Sequence, residues 1–339
     1  MNTFLPTLRK QLPFILLLSL VYLGYFITHP PVVTTPEPIL GAHTNLTLFT
    51  QPESGREFLL EKLDGAKKEI LLKVYLLSDK EVIASLIRAK VRGVHVVVML
   101  EEHPFGGGNL NSKTEKQLKD VGVDIGWTSP DFPLSHEKSV VIDQTYVFIL
   151  NQNLTTSSFT KNREYNILDT NPEDVQEVRK MFIADWERKS YTTSSSSLLI
   201  SPLTARSGIE DLIRQCTQTI DIEIEILTDD TLTQLLGEQM GRCAIRVITP
   251  TFTQISSNKE SMLSLRDAGA ETKVMSSPYI HAKLVIIDGK KAYIGSINFS
   301  SQSIDENREL GIVITDPSIL QELTNTFEMD WNNATSVAK

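Results

Sequence analysis

After residue 45 the chain alternates short apolar runs with amphipathic stretches. Residues 70–76 and 94–100 are dense in valine, isoleucine and leucine and too short for ordinary helices, so they predict buried strands. Residues 57–67 and 80–91 place apolar positions three and four apart, which predicts helices that bury one face. The same order returns later, with helices over 207–216 and 231–240 and strands over 220–227 and 244–248. Strands that alternate with helices imply a sheet covered by helices on both sides, an α/β fold.

The recurrence is an internal repeat, and a repeat settles architecture before any local assignment does. His136, Lys138 and Asp143 return as His281, Lys283 and Asp288, an offset of 145 residues. That offset continues without a gap through Asn153 and Asn298, and through Asn162-Arg163-Glu164 and Asn307-Arg308-Glu309. It reaches Phe182, Asp185 and Trp186 in one copy and Phe327, Asp330 and Trp331 in the other, where the aromatic pairs are expected as core anchors on closing helices. Upstream the offset shifts slightly, because the first copy carries extra residues around Gly106-Gly107-Gly108. The expected organisation is a first repeat over 46–190, a serine-rich linker over 191–198 and a second repeat over 199–335, the two related by a pseudo-two-fold.

Residues 11–28 form eighteen positions without a charge, near the lower limit of the ~17–25 apolar residues that span a bilayer. Arg9 and Lys10 precede this run, and no lysine or arginine follows until Arg56. The asymmetry predicts that residues 1–28 are a cytoplasmic tip and a single uncleaved transmembrane anchor, with everything after it on the extracytoplasmic side. The prolines of 29–45 suit an extended tether.

Composition narrows the partners. With 33 basic and 42 acidic side chains the formal net charge is −9, so no overall basic field holds a long polyanion, and phosphate binding has to be local. Cys216 and Cys243 are too few for a thiolate zinc site and lack the spacing of a redox pair; they are either free or one disulfide.

The doubled motif carries the chemistry. Alternation along a strand puts His136 and Lys138 on one face and Asp143 on the other, and His281, Lys283 and Asp288 repeat the arrangement. A two-fold relation between the copies would gather two imidazoles and two ammonium groups at one point. That set suits a phosphodiester: fixed cations meet the non-bridging oxygens, one neutral imidazole attacks phosphorus, and the protonated one supplies the leaving alkoxide with its proton. No metal or other cofactor is needed for such a reaction.

His-x-Lys-x4-Asp occurring twice, each time followed by an asparagine ten residues after the aspartate and then by Asn-Arg-Glu, resembles the phospholipase D superfamily over roughly residues 46–335. The resemblance implies two fused α/β repeats, each a mixed sheet flanked by helices, with one active site at their interface. It makes His136 and His281 the nucleophile and acid/base pair, Lys138 and Lys283 phosphate ligands, and Asn153, Asn298 and Ser296 phosphate-side groups. Glu164 and Glu309 orient the histidines, and Asp143 and Asp288 complete the motif, although a turn-forming role for these aspartates is equally expected from Asp288-Gly289. One departure is visible, since Gly295-Ser296-Ile297-Asn298 is matched in the first copy by Leu150-Asn151-Gln152-Asn153; Asn151 could supply a donor where Ser296 has a hydroxyl. The implied activity is head-group cleavage or exchange on a phospholipid by a monomer. A membrane-tethered nuclease is the alternative, and an inactive anion-binding adaptor is disfavoured by two complete motifs.

Overall fold

The central strand-forming runs are apolar on both faces, so each has to be covered twice. The computed structural model describes residues 45–105, 108–193 and 195–338. The strands of the first repeat are β1 (Leu46–Gln51), β2 (Glu69–Val74), β3 (His95–Leu100), β4 (Asp124–Trp127), β5 (Ser139–Ile142), β6 (Tyr146–Ile149) and β7 (Asn162–Asp169). They form one mixed sheet in the order β1-β7-β6-β5-β2-β3-β4, with β3 parallel to β2 and β4 and the other neighbours antiparallel.

The second repeat contributes β8 (Leu198–Ser201), β9 (Thr219–Ile224), β10 (Ala244–Pro250), β11 (Glu271–Met275), β12 (Tyr279–Ile280), β13 (Lys283–Ile287), β14 (Lys291–Gly295), β15 (Glu309–Ile314) and β16 (Thr335–Ser336). Its sheet follows the same path, β8-β15-β14-β13-β9-β10-β11, with β16 added beside β11. The exception is β12, which leaves its own repeat and pairs in parallel with β7 of the other.

Corresponding helices start in corresponding ways. Asp79 caps Lys80–Val91 and Asp229 caps Asp230–Gln239, each accepting from first-turn amides. The closing helices Pro172–Trp186 and Pro317–Asn333 both place proline at the first position behind an Asn171 or Asp316 cap. These two helices lie in the central core between the sheets, where Val141, Tyr165 and Phe182 join Leu284, Ile294, Phe327 and Trp331 in one apolar cluster. Each sheet has a separate outer core beneath its remaining helices. Trp186 departs from its expected role as a core anchor: it is 38% exposed while Trp331 is buried.

Cys216 and Cys243 form a disulfide beneath the outer helices of the second repeat. Among the described residues no helix is long and apolar enough to cross a membrane. The segment 11–28, expected as an anchor, lies outside the described residues, as do Gly106 and Gly107.

Candidate active site

Two matching crossings between the repeats build the site. Just before β5, Ser135 bridges Arg308, and the amides of His136 and Glu137 donate to the Arg308 carbonyl at 2.9 and 3.0 Å. In the mirror position β12 runs beside the start of β7, with Tyr279 opposite Asn162 and Ile280 opposite Arg163, and the His281 amide donates to the Arg163 carbonyl at 3.3 Å. The histidines were expected inside their own strands. They precede them instead, since β5 begins at Ser139 and β13 at Lys283, because the backbone at each histidine is bonded to the opposite repeat.

The crossing sets each histidine against the other repeat's glutamate. His136 Nδ1 lies 2.9 Å from Glu309 Oε2, and His281 Nδ1 lies 2.7 Å from Glu164 Oε2. Both carboxylates are fully buried. The Asn162 side-chain amide donates to Glu164 at 2.9 Å, and the Ser303 hydroxyl and the Asn307 amide donate to Glu309. A carboxylate on Nδ1 keeps a proton there, so Nε2 is the nitrogen that exchanges with the outside. Burial pushes the His136 imidazole below its ordinary pKa, against the pull of Glu309 and with the help of Lys138 and Lys283. Burial also works against the Glu309 charge, but His136 and Lys138 hold its carboxyl below the usual range.

Each buried lysine reaches back to the carbonyl of the histidine two residues before it, Lys138 Nζ to His136 at 2.6 Å and Lys283 Nζ to His281 at 2.7 Å. Beyond that the halves differ. Val74-Tyr75 and Ile224-Glu225 are the corresponding ends of β2 and β9. On the first side the Tyr75 ring lies 4.8 Å from the His136 ring and 5.5 Å from Lys138 Nζ. Burial, with Lys283 opposing a second cation, pushes the Lys138 ammonium down to about 7. On the second side Glu225 accepts from Lys283 at 2.9 Å and from the Tyr279 hydroxyl at 3.0 Å, and its Oε2 lies 3.5 Å from His281 Nε2. Burial disfavours the Glu225 charge, and His281 and Lys283 overcome this, so its carboxyl lies well below the usual range. Sequence reasoning missed Glu225. It stands in the acidic alternation Asp221, Glu223, Glu225, and its counterpart Tyr75 offers no repeat to match; the usable signal was its place one residue after Ile224, the β9 partner of Lys283.

Other expected site residues divide. Asn153 and Asn298 are buried, each with a side-chain oxygen that has no hydrogen-bond partner among the described residues. Ser296, expected at the phosphate, is committed elsewhere: it donates to the Leu310 carbonyl at 3.3 Å and accepts from the Leu310 amide at 3.1 Å. Asn151 is no substitute donor either, since its amide bonds the carbonyls of His281 and Gly295, both at 3.1 Å. Asp143 and Asp288 are not brought to the histidines at all. They sit past the far ends of β5 and β13 with positive φ, at 52° and 54°. Asp143 accepts the amides of Lys67, Lys68 and Glu69 at 2.8, 2.6 and 3.0 Å, and Asp288 accepts those of Thr217, Gln218 and Thr219. These aspartates tie a turn to the start of the neighbouring strand, which corrects their assignment as catalytic. Among the described residues no group of three or more His, Cys, Asp or Glu is arranged to hold a metal ion.

Residues 59–186 and 209–331 each match the family described as cardiolipin synthase, phospholipase D-like domain. The chain belongs to this family. The chain is 23% identical, over an alignment of 346 positions, to a cardiolipin synthase of Oceanobacillus iheyensis, covering 89% of this chain and 72% of that one. One half of the chain is 29% identical over 160 residues to a phospholipase D of Rickettsia typhi, covering 46% of this chain and 73% of that one. The fold matches the crystal structure of a phosphatidylserine synthase of Haemophilus influenzae with a TM-score of 0.66 at 13% identity, covering 86% and 87% of the two chains. The phospholipase D-like chain is therefore an enzyme, a phosphodiesterase or phosphatidyltransferase of that type.

Proposed function

We propose that the enzyme cleaves or exchanges the head group of a phospholipid through a covalent phospho-histidine. The observation that carries this reading is the pair of crossed histidine–glutamate contacts, at 2.9 and 2.7 Å, beside two buried lysines. The lysine ammonium groups meet the non-bridging oxygens, and the electrostatic gain is large because the donors are fixed and shielded from water. Nε2 of one histidine forms the bond to phosphorus as the bond to the leaving oxygen breaks, and the other histidine transfers its proton to that oxygen. Water or a second alcohol then attacks phosphorus, its proton passes to the histidine that has just given one up, and the bond from phosphorus to nitrogen breaks. Asn153 and Asn298 flank the phosphate, and Glu164 and Glu309 orient the rings.

The same reading makes residues 11–28 a membrane anchor with the catalytic repeats 46–190 and 199–335 on the extracytoplasmic side, joined to it through 29–45. Tethering raises the local concentration of lipid head groups without any specific contact. Both halves of the site come from one chain, so a monomer suffices.

The test is a product assay on the full chain in detergent, offered vesicles of phosphatidylglycerol and phosphatidylethanolamine, and separately single-stranded DNA. Released or exchanged head group, with activity unchanged by a chelator, is the expected result. Rapid DNA cleavage with steep salt dependence and no attack on lipid would make the enzyme a tethered nuclease instead.

A further inference from the structure

The arginines at the two crossings are not paired alike. Arg163 and Arg308 are equivalent by the 145-residue offset, and both are buried. Arg163 is well matched: Nε and Nη2 donate to Asp330 at 2.5 and 3.0 Å, and Nη1 donates to Glu53 at 2.6 Å and to the Gln51 carbonyl at 2.7 Å. Arg308 has one carboxylate oxygen, Asp185 Oδ1 at 3.1 Å, and a long contact to the Ser201 carbonyl at 3.4 Å. Its Nε is buried with no hydrogen-bond partner among the described residues.

Two exchanges between the repeats account for the deficit. Lys73 takes the other Asp185 oxygen at 2.6 Å, whereas the residue equivalent to Lys73 is Glu223, which brings Asp330 no competing cation. Gln51 lies opposite Glu164 in the β1–β7 register, as Ser201 lies opposite Glu309 in the β8–β15 register. Gln51-Pro52-Glu53 therefore matches Ser201-Pro202-Leu203, and the carboxylate that meets Arg163 is replaced by an alkyl group.

A cleft of about 310 Å³ opens at this place, lined by Arg308, Arg188, Lys189, Ser129, Ser190 and Leu203. The Phe132 and Tyr191 rings hold the Arg308 guanidinium, 4.3 and 5.8 Å from their centres. We propose that the cleft is an anion site, separate from the catalytic one, that takes a phosphate group where the other half has Glu53. Three cations line it against the carboxylates of Asp131 and Asp185; Asp131 accepts from the Ser129 hydroxyl at 3.0 Å, and Lys73 neutralises Asp185 from behind. A planar guanidinium beside hydroxyls and further cations matches the several oxygens of a phosphate. Free phosphate and the head group of an anionic lipid both offer this chemistry. The cleft is not the histidine site, because successive residues of an extended segment point to opposite sides: Glu309 reaches His136, and Arg308 lines the cleft.

The test is calorimetric titration of the full chain in detergent with inorganic phosphate and, separately, with glycerol phosphate. Leu203→Glu restores the carboxylate that Arg163 has, at a side chain 43% exposed and outside the catalytic set. It is expected to weaken binding in the cleft about ten- to a hundredfold, so that one phosphate fewer is bound per chain. Tighter binding of glycerol phosphate than of inorganic phosphate would support a lipid head group as the occupant, and the reverse would support free phosphate. Equal binding by Leu203→Glu and the unaltered enzyme would overturn the proposal. Nitrogen NMR of the arginine side chains in the unaltered enzyme covers a variant that does not fold. The Arg308 Nε–H resonance is expected to shift on saturation with phosphate, and an unmoved resonance would overturn the site, since phosphate held only at the histidines leaves it in place. Neither measurement uses turnover, so a failure of the phospholipid reading shows in the product assay and not here.

Discussion

The substitution Glu309→Gln, in the second repeat, is expected to disable chemistry carried by the first. Glu309 is fully buried and holds His136 Nδ1 at 2.9 Å across 173 residues of chain. The amide keeps the size and an acceptor oxygen but removes the charge that stabilises the ring when it becomes cationic during the reaction. A hydrogen bond to a charged group contributes about 1.5–3 kcal/mol, and about 1.4 kcal/mol corresponds to a tenfold change in rate, so kcat is expected to fall roughly 10- to 150-fold. A second effect follows from Lys138, whose ammonium is already pushed down to about 7 by burial and which Glu309 helps to keep protonated. Phosphate binding needs the charged lysine. Its pKa is lowered relative to free lysine, so the charge is present at low pH and lost as pH rises through about 7; removing Glu309 lowers it further, and kcat/KM is lost at a lower pH. Steady-state assays from pH 5 to 9 measure both quantities. Wild-type kcat together with an unshifted alkaline limb would refute the crossed assignment.

Two further outcomes concern the frame. Asp143→Ala removes the acceptor of three amides, two of them exposed enough to turn to water, so urea denaturation is expected to show a loss of about 1–3 kcal/mol. Its kcat per folded molecule should change far less than that of Lys138→Met; a thousandfold loss at unaltered stability would return this aspartate to the chemistry. Opening the disulfide between Cys216 and Cys243, which are separated by 27 residues, is expected to lower stability by about 3–4 kcal/mol on the chain-entropy account. Thermal melts with and without reductant check this, and coincident melts would mean that the thiols were free.

Much of the site was legible because the chain states it twice. The doubled motif placed His136, His281, Lys138 and Lys283 together, and the gap-free offset tied Glu164 and Glu309 to them. What repetition cannot convey is which copy serves which. The crossing of β12 onto β7 uses two residues of strand, and nothing in Tyr279 or Ile280 reveals the partner. Repetition also hides its own exceptions: Glu225 faces Tyr75, and only strand register brings it to His281. The aspartates show the converse, because both copies keep them for a turn contact repeated just as faithfully as the chemistry. Ser296 is expected at the phosphate from its motif, whereas its hydroxyl is bonded to the Leu310 backbone of the adjacent strand, a contact the sequence does not display.

The exchange of residues between the two sheets also bears on the order in which the enzyme is made. Synthesis delivers the amino-terminal half first, and domains generally fold as they emerge. The first sheet draws all seven of its main strands from residues before 170 and can close while the rest of the chain is still being produced. His136 then has neither the backbone acceptor at Arg308 nor the carboxylate at Glu309, both of which arrive near the end of synthesis. A chain that stops before Arg308 therefore lacks both the backbone acceptor and the carboxylate that hold His136 in the finished enzyme.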